Sequence, residues 1–389
     1  MEIGKYRNQL YWCSKCAYCR DTISDELGYY KVCPIYEFKR MEHFSPRGRA
    51  TIALAALEGY LPLTQPLVDL AFSCLGCGIC KAICPSAVDE GVDVAGIMRA
   101  MRQDLLNVGL KPPEAVIELD KNIAQTHNVF GEDSAKRTSW SNDLELPDKG
   151  DILYFAGCYT SYRYPETARA TVKILEQAGI HLSYLGDEEW CCGVPQLWDG
   201  NSSLARDIAR RNFEAIKKSG AKTVVATCAG CYHALNSNYR EIVGEIPFEI
   251  VHVSTLLADL IAKDKIRLRK PIEKVLTYHD PCHLGRHEKI YDAPRDVIKN
   301  IPQIDYREML RSKNSAWCCG GGAIESAVFP NLTKEISKAR IGEAKEIGAD
   351  ALITSCPLCI TILNRVAKPQ KIQVYDLPVI VAEAMGLEI

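Results

Sequence analysis

Ten cysteines in the C-terminal two thirds of the chain form two sets with the same internal order. Each set contains one isolated cysteine, then an adjacent Cys-Cys-Gly, then a Cys-x-x-Cys. The first set is Cys158, Cys191, Cys192, Cys228 and Cys231, and the second set is Cys282, Cys318, Cys319, Cys356 and Cys359. Corresponding members lie 124 to 128 residues apart, which indicates a duplicated domain. Because thiolates clustered at short spacings in a reducing compartment bind metal or perform redox chemistry, we predict two metal–sulfur sites.

The remaining eight cysteines lie near the N-terminus and have ferredoxin-like spacing. Cys74, Cys77, Cys80 and Cys84, followed by Pro85, reproduce the run by which bacterial ferredoxins hold 4Fe-4S cubanes. In such runs the fourth cysteine binds the neighbouring cluster, so the same crossover is predicted here. The predicted cubane ligands are Cys13, Cys16, Cys19 and Cys84 for one cluster, and Cys74, Cys77, Cys80 and Cys33 for the other. Cys33 follows its triplet after thirteen residues instead of three, so this part of the pattern is stretched.

Two other uses of so many cysteines remain as alternatives. Structural zinc sites made of four thiolates also contain Cys-x-x-Cys pairs, although triplets linked to a Cys-Pro favour iron–sulfur clusters. A disulfide framework is disfavoured by the two adjacent cysteine pairs, whose geometry suits separate disulfides badly.

Composition narrows the classes of protein further. The 389 residues are 47% apolar, and 49 acidic side chains nearly balance 47 basic ones, without a basic block that would bind nucleic acid. No apolar run reaches the roughly 18 residues of a membrane span, and the first residues do not resemble a secretory signal. We therefore expect a folded cytoplasmic protein without a membrane span and without a nucleic-acid partner.

The N-terminal region is predicted to be helical. Ser45 and Pro46 form a helix start before the stretch 50–57, which is rich in Ala and Leu. A second helix is predicted from Asp93, with an inward face of apolar residues spaced three or four positions apart. Its apolar residues are Val94, Met98, Met101, Leu105 and Val108. Residues 1–125 are thus predicted to be a helical ferredoxin domain, and the polar stretch 126–150 a linker.

Beyond the linker, strand and helix patterns alternate twice. The predicted strands are 152–155, 224–226, 251–253, 275–278, 351–353 and 374–376. The predicted helices are 165–177, a helix from Pro294 and one from Leu332 to Gly348. The predicted fold class is therefore α/β, with two Rossmann-like parallel-sheet domains at 151–267 and 268–389 behind the helical ferredoxin domain. Most cysteines of the two sets follow strand ends, where ligands of parallel sheets bind.

Several residues beside the cysteines are candidates for a role. Adjacent thiolates fit a regular cubane poorly, so an opened cluster with a bridging thiolate is one hypothesis for each set. His279 and His283 flank the stretch that contains Cys282. His283 is a candidate proton donor to a departing thiolate, with a hydrogen bond to cluster sulfur or a simple turn as alternatives. Trp190 and Trp317 precede the adjacent cysteine pairs and are predicted to shield them from water.

With these motifs in place, the chain resembles a known family. Its Cys-Cys-Gly domains are similar to those of the catalytic subunit of heterodisulfide reductase and of iron–sulfur subunits in glycerol-3-phosphate, lactate and glycolate oxidising systems. A two-cluster ferredoxin domain before two such domains resembles a fused small and catalytic reductase subunit. The resemblance implies that each five-cysteine set holds a non-cubane 4Fe-4S cluster. It also implies that the two clusters face one cavity and split a disulfide, one sulfur going to each.

Three functions follow as hypotheses. The first is a heterodisulfide reductase-type subunit in a multi-subunit redox complex, with Cys192, Cys319 and His283 as catalytic candidates and a disulfide or thiol as substrate. The second is a pure electron relay between a flavoprotein and a quinone or an acyl-CoA reductase of the benzoyl-CoA type. The third is a zinc-stabilised scaffold. Since the chain shows no flavin or nicotinamide motif, the expected partners are a flavoprotein, as in bifurcating complexes of anaerobes, and further iron–sulfur, hydrogenase or dehydrogenase subunits.

Overall fold

The computed structural model describes residues 1–24, 27–87 and 90–389, and it combines a helical N-terminal part with two parallel sheets. The described N-terminal elements are α1 (Arg7–Trp12), β1 (Asp21–Ser24), β2 (Gly28–Lys31), α2 (Pro34–Lys39), α3 (Pro46–Leu57), α4 (Gln65–Phe72), α5 (Ile79–Ala82), α6 (Val94–Asn107) and α7 (Glu114–Thr126). Within the described ranges, no helix has the length and apolar character needed to cross a membrane.

The two predicted N-terminal helices begin at their predicted caps. The Ser45 hydroxyl accepts a hydrogen bond from the Gly48 N–H at the start of α3, and the Asp93 carboxylate accepts one from the Gly96 N–H at the start of α6. The methionines of α6 are fully buried, as predicted. The prediction that Val108 faces inward is wrong, because α6 ends one residue earlier and Val108 is 59% exposed.

The stretched spacing between Cys19 and Cys33 contains a two-stranded antiparallel sheet, formed by β1 and β2. After β2 the chain returns to Arg20, the residue after Cys19. The N–H groups of Val32 and Cys33 both donate to the carbonyl of Arg20, at 3.0 and 3.2 Å. The two strands and these hydrogen bonds bring Cys33 back close to the triplet of Cys13, Cys16 and Cys19.

The first cysteine-rich half contains a four-stranded parallel sheet with the strand order β4-β3-β5-β6. Its elements are β3 (Ile152–Phe155), α8 (Gly157–Arg163), α9 (Pro165–Gln177), β4 (Ser183–Tyr184), α10 (Val194–Asp199), α11 (Ser202–Ser219), β5 (Thr223–Ala226), α12 (Ala229–His233), α13 (Tyr239–Val243), β6 (Glu249–His252) and α14 (Val253–Ala262).

The second half repeats this sheet with the order β8-β7-β9-β10, again parallel. Its elements are β7 (Val275–Tyr278), α15 (Asp292–Lys299), β8 (Asp305–Tyr306), α16 (Glu325–Val328), α17 (Pro330–Glu346), β9 (Ala351–Thr354), α18 (Pro357–Ala367), β10 (Gln373–Asp376) and α19 (Leu377–Met385). The predicted α/β class with duplicated parallel sheets is confirmed.

Most predicted strands and helices agree with the observed ones, with small errors at the ends. The helix predicted from Pro294 begins at Asp292, and the helix predicted from Leu332 to Gly348 is α17, which spans Pro330–Glu346. Val253, predicted to end a strand, is the first residue of α14. In each case the strand or helix type is right and the boundary moves by one or two residues.

Two buried arginines connect the N-terminal part to both halves. Arg102 of α6 donates to the carbonyls of Ala71 and Cys74, to the carbonyl of Trp198 and to the carboxylate of Glu325. Arg286 donates from Nε to the carbonyl of Cys77 and from Nη1 to the carbonyl of Ala316. The three parts therefore share buried polar contacts and do not merely follow one another along the chain.

Candidate metal centres

The five cysteines of the first set meet beyond the ends of β3 and β5, and all five are buried. The thiol of Cys158 is hydrogen bonded to that of Cys191. Hydrogen bonds with the thiols of Cys191 and Cys231 lower the pKa of Cys192 to about 6. Cys231 is in turn a neighbour of Cys228, so the sulfurs of the first set form one connected group.

The second set repeats this arrangement beyond β7 and β9. The Sγ atoms of Cys282 and Cys318 are 4.0 Å apart. Cys319 is hydrogen bonded to both Cys318 and Cys359, and Cys359 to Cys356. The glycines after Cys319 let this loop pack against helices, because a Cβ on Gly320 would lie 3.0 Å from the carbonyl oxygen of Thr333.

The two sets are in direct contact across the halves. Hydrogen bonds from Cys231 and Cys356 to Cys228 hold the pKa of the Cys228 thiol well below its usual range. Cys228 and Cys356 are the residues immediately before α12 and α18, and backbone N–H groups of these helices point at their sulfurs. A helix N-terminus favours negative charge, so this position suits thiolates.

The N-terminal cysteines form a further group that continues to the second set. Cys33, Cys13, Cys84 and Cys16 all act electrostatically on Cys19, whose pKa burial raises to about 12. Cys80 has Cys74, Cys77, Cys19 and Cys33 as neighbours. Burial also raises the pKa of Cys77 to about 12, and Cys318 of the second set contributes to this shift. Cys77 thus links the N-terminal cysteines to the second set.

All eighteen cysteines are free thiols, and buried cations compensate part of the charge that their thiolates would carry. Arg137 places Nη2 3.7 Å from the Sγ of Cys158 and binds the carboxylate of Glu189 through Nη1 at 2.8 Å. The Arg286 guanidinium interacts with Cys77, Cys282 and Cys318. A donor set of converging thiols with adjacent cations fits thiolate-ligated iron–sulfur clusters, which are held by cysteine sulfur and tuned by nearby charge.

Histidines fill the space between the halves. The rings of His233 and His283 stack at 5.1 Å between centroids, and Nδ1 of His233 is bonded to the carboxylate of Glu288. Burial, followed by the neighbouring His233 and His287, holds the pKa of His283 well below its usual range. His287 bonds the carbonyl of Gly76 through Nε2 at 2.8 Å. The other histidine of the Cys282 motif, His279, lies beside Cys319 and Cys359, and burial and the adjacent Arg340 lower its pKa to about 3.

The two tryptophans differ in their surroundings. Trp317 is buried, and its indole N–H donates to the carbonyls of Lys31 and Val32 next to Cys33. Trp190 is only half-buried and stacks on His127 at 3.5 Å. Trp317 therefore joins the second set to the N-terminal part.

A cavity of about 240 Å³ opens between the halves. All five cysteines of the first set line it, but only Cys356 of the second set does. Of the three catalytic candidates, Cys192 and His283 line the cavity, whereas Cys319 does not. The walls are mostly apolar, with Leu119, Phe130 and Leu358, and among the described residues that line the cavity Arg365 alone has a permanent charge.

Several residues of this region carry no signal in the sequence patterns. Arg137 belongs to the stretch predicted as a linker, yet it is buried against Cys158. Arg286, Arg340 and Arg365 carry no motif of their own. Only the nearness of Arg286 to the Cys282 motif could have drawn attention to it.

Comparisons with known proteins agree with this geometry. A cysteine-rich domain model matches residues 152–236 and 276–364, and a 4Fe-4S dicluster domain model matches residues 9–88. The chain is 40% identical over 326 residues to a subunit of the dihydromethanophenazine:CoB--CoM heterodisulfide reductase of Methanosarcina barkeri, covering 82% of this chain and 79% of that protein. It is also 29% identical over 360 residues to the EtfAB:quinone oxidoreductase of Syntrophomonas wolfei, covering 85% of this chain and 49% of that protein.

A solved structure supports the fold alone. The crystal structure of a hypothetical protein from Helicobacter pylori aligns with a TM-score of 0.60 at 14% identity, covering 91% of this chain and 72% of that chain. The fold and the cysteine groups define an iron–sulfur electron-transfer subunit of an oxidoreductase. The sequence relatives make the family definite, and this chain belongs to the family of the Methanosarcina heterodisulfide reductase subunits.

Proposed function

We propose that this chain carries electrons from a partner subunit to a disulfide bound in the cavity between its two cysteine-rich halves. The observation that supports this function is that the cysteines are neighbours in one continuous order, from the N-terminal group to the cavity. The order runs from the N-terminal cysteines through Cys77 to Cys318, along the second set to Cys356, and from Cys356 to Cys228 in the first set. The first set then opens into the cavity.

The proposal assigns four iron–sulfur clusters to these cysteines. The two N-terminal groups would hold cubane clusters and the two five-cysteine sets non-cubane clusters, with the same ligands that the sequence predicts. Bound there, the clusters would supply one-electron acceptance and release. The protein contributes the burial of the thiols, the helix N-termini at Cys228 and Cys356, and the guanidinium groups of Arg137 and Arg286.

The two ends of this order of cysteines differ in exposure to solvent, and this difference supports the roles proposed for them. Cys16 is exposed at the N-terminal end, and the neighbouring Trp12 and Tyr18 are 69% and 49% exposed. Such large apolar side chains on a surface are typical of contact sites for other proteins. We assign this end to a partner, a flavoprotein or another iron–sulfur, hydrogenase or dehydrogenase subunit. Relatives of this chain carry names of reductase subunits, which agrees with a partner.

At the cavity, the overall change would be the two-electron cleavage of a disulfide. The S–S bond breaks, and two electrons from the partner and two protons from solvent convert the two sulfurs into thiols. Cys192 lies where a substrate sulfur can approach the first set, and His283 borders the same space. Because its ring is held neutral, His283 would pass a solvent proton to the departing thiolate, accepting at one ring nitrogen as it donates from the other. The apolar walls exclude water from the substrate. The structure favours Cys192 over Cys319 as the cysteine nearest the substrate, since Cys319 does not line the cavity.

A second candidate function is electron relay without disulfide chemistry. It is favoured by the relative named EtfAB:quinone oxidoreductase, whose matched region includes most of this chain. In this function the cavity would bind no thiol, and electrons would pass to a quinone or acyl-CoA reductase module.

Spectroscopy of anaerobically purified protein separates these functions. We expect about sixteen irons per chain, and zinc in their place would contradict both candidates. Adding a thiol to the oxidised protein should create a new paramagnetic signal if the cavity binds substrate sulfur. Cys192→Ala should abolish that signal, while Cys319→Ala, which alters the set farther from the cavity, should weaken it less. A relay would show no response to thiols in any of these proteins.

A further inference from the structure

His279 lies against the second set with one ring nitrogen unused. A ring nitrogen of His279 and the Sγ atoms of Cys319 and Cys359 all lie within 4.8 Å of one another. The ring is fully buried, and its Nε2 has no hydrogen-bond partner. A buried polar atom without a partner costs free energy, so its position beside two thiols requires an explanation.

Arg340 determines which nitrogen carries the proton. Its Nε lies 3.1 Å from Nδ1 of His279, and its Nη1 binds the carboxylate of Glu343 and the carbonyl of Arg311. A guanidinium group can only donate, so Nδ1 of His279 must accept and carry no proton. The proton of the neutral ring is then on Nε2, the nitrogen without a partner.

This protonation excludes His279 as a metal ligand in its present orientation. A histidine that binds metal through Nε2 carries its proton on Nδ1, where the Arg340 N–H already points. We propose that His279 is a positioning residue whose Nε2–H donates a hydrogen bond to sulfur of the cluster held by the second set. This inference rests on the proposed function, because it requires an iron–sulfur cluster at Cys319 and Cys359.

The first set lacks this donor. Between β3 and Cys158 the chain has Ala156 and Gly157, whose N–H groups bind the carboxylate of Glu189. Both sets have an adjacent guanidinium, Arg137 at the first and Arg286 at the second, so at this position before the first cysteine of the set the imidazole is an addition to the second half. Hydrogen bonds to cluster sulfur stabilise the reduced form. The second set should therefore hold an electron more readily than it would without His279, which suits a site that stores electrons before the cavity.

The test is a redox titration of both non-cubane centres, followed by electron paramagnetic resonance. Cys192→Ala and Cys319→Ala first assign each signal to its set. His279→Leu should make reduction of the second centre about tenfold less favourable, which lowers its potential by about 59 mV for one electron. The potential of the first centre should not change. His279→Gln, whose amide can donate, should recover most of the shift.

A control is His181→Leu, because this histidine is exposed and lies just before β4, at the end of the sheet opposite the cysteines. It should leave both potentials in place. An unchanged second potential in His279→Leu would overturn the inference, and so would a loss of iron from the second set. Absence of iron in the unmodified protein would instead refute the proposed function.

A measurement on unmodified protein guards against variants that do not fold. Protein labelled with ¹⁵N-histidine should show, by pulsed paramagnetic resonance, a weak ¹⁵N coupling and an exchangeable proton at the second centre. A strong ¹⁵N coupling would identify His279 as a ligand and contradict its role as a donor.

Discussion

Arg365 is an exposed arginine at the mouth of the cavity. Within the part of the chain that the structure describes, its guanidinium forms no hydrogen bond and no ion pair. No carboxylate is among the described residues that line the cavity. A cation at the edge of an otherwise apolar space attracts an anion, so the cavity should prefer a disulfide with an acidic group to a neutral or basic one.

This preference predicts a selective effect of Arg365→Gln. With reduced viologen as electron donor, the unmodified protein should reduce 3,3′-dithiodipropionate more efficiently than bis(2-hydroxyethyl) disulfide, and cystamine least. Arg365→Gln should lower kcat/KM for the anionic disulfide by about tenfold, equivalent to about 1.4 kcal/mol, and leave the neutral one nearly unchanged. Lys368→Gln removes an exposed charge outside the cavity and serves as the control. Equal losses for all three disulfides would contradict the assignment, and calorimetric titration with 3,3′-dithiodipropionate provides a binding readout without turnover.

Single residues were predictable where spacing along the chain carried the information. The paired cysteine sets and the ferredoxin run are local patterns that constrain sulfur chemistry. Arg340 reaches His279 across 61 positions, and Arg137 reaches Cys158 from the stretch predicted as a linker. Such contacts depend on how helices and loops pack, and single arginines carry no spacing signal that would reveal them.

At the scale of elements, the turn between β3 and α8 controls the first set. Gly157 has a φ of +75°, and a Cβ added there would lie 2.8 Å from the Sγ of Cys231. The turn therefore requires glycine for its left-handed backbone and for the sulfur packed against it. Gly179 also has a φ of +75°, but a Cβ there would meet nothing within 4 Å.

This pair of glycines gives a matched prediction. Gly157→Ala and Gly179→Ala should each lose about 1 kcal/mol of unfolding free energy from the left-handed backbone. Only Gly157→Ala should also displace Cys231 and reduce bound iron, by up to about four atoms per chain. Iron analysis beside denaturant unfolding separates the two effects. Equal iron content in both variants would show that the first set tolerates the added methyl group.

Helices α7 and α10 meet through a pair of carboxyl groups. Asp120 of α7 accepts hydrogen bonds from the side chains of Gln196 and Asn201, while Asp199 of α10 has one carboxyl oxygen without a partner. Burial, and then the adjacent Asp120, hold the pKa of Asp199 well above its usual range. Two adjacent carboxyl groups favour sharing one proton.

The shared proton makes stability depend on pH. Because the pKa of Asp199 is higher in the folded state, the folded state binds more protons, and the free energy of unfolding falls as pH rises from the ordinary Asp value toward the raised one. The slope contributed by this group is at most about 1.4 kcal/mol per pH unit. Asp199→Asn should flatten the decline and stabilise the protein at pH 8. Urea unfolding at a series of pH values from about pH 4 to pH 8 measures the slope and the stability, and an unchanged slope in Asp199→Asn would assign the pH dependence to other groups.

The elements themselves were partly predictable. Alternating apolar strands and capped helices gave the three longer strands of each parallel sheet and α3, α6, α9 and α17 with errors of at most two residues, because apolar runs, helix caps and first-turn prolines mark these elements in the sequence. The sheet of β1 and β2 and helix α7 were not anticipated. In α7 the buried Val116 and Ile123 are seven positions apart and share one helix face, but the prediction placed no helix on them.

For the whole molecule, Arg102 is a buried side chain that contacts all three parts. The guanidinium is fully buried, with Nη1 2.6 Å from the carbonyl of Trp198 and Nη2 2.6 Å from the carbonyl of Cys74. Its ion pair with Glu325 measures 2.8 Å and reaches the second half. Burial raises the pKa of Glu325, which Arg102 partly offsets. One side chain thus joins the second ferredoxin run, the first half and the loop that borders the cavity.

Arg102→Met should therefore impair both stability and electron transfer. Leaving the Glu325 carboxylate buried without a partner should cost about 3 to 5 kcal/mol of unfolding free energy, and Arg102→Met with Glu325→Gln should recover part of it because no buried charge remains. Arg99→Met, on the same helix, loses an ion pair with the exposed Glu241 and contacts with Tyr6 and Trp198, but leaves no buried charge, and should cost about 1 kcal/mol. If Arg102 fixes the spacing between cysteine groups, reduction of the cavity-side centre after rapid mixing with reduced dye should slow in Arg102→Met and stay slow in the double variant. A normal rate in the double variant would show that Arg102 serves stability alone.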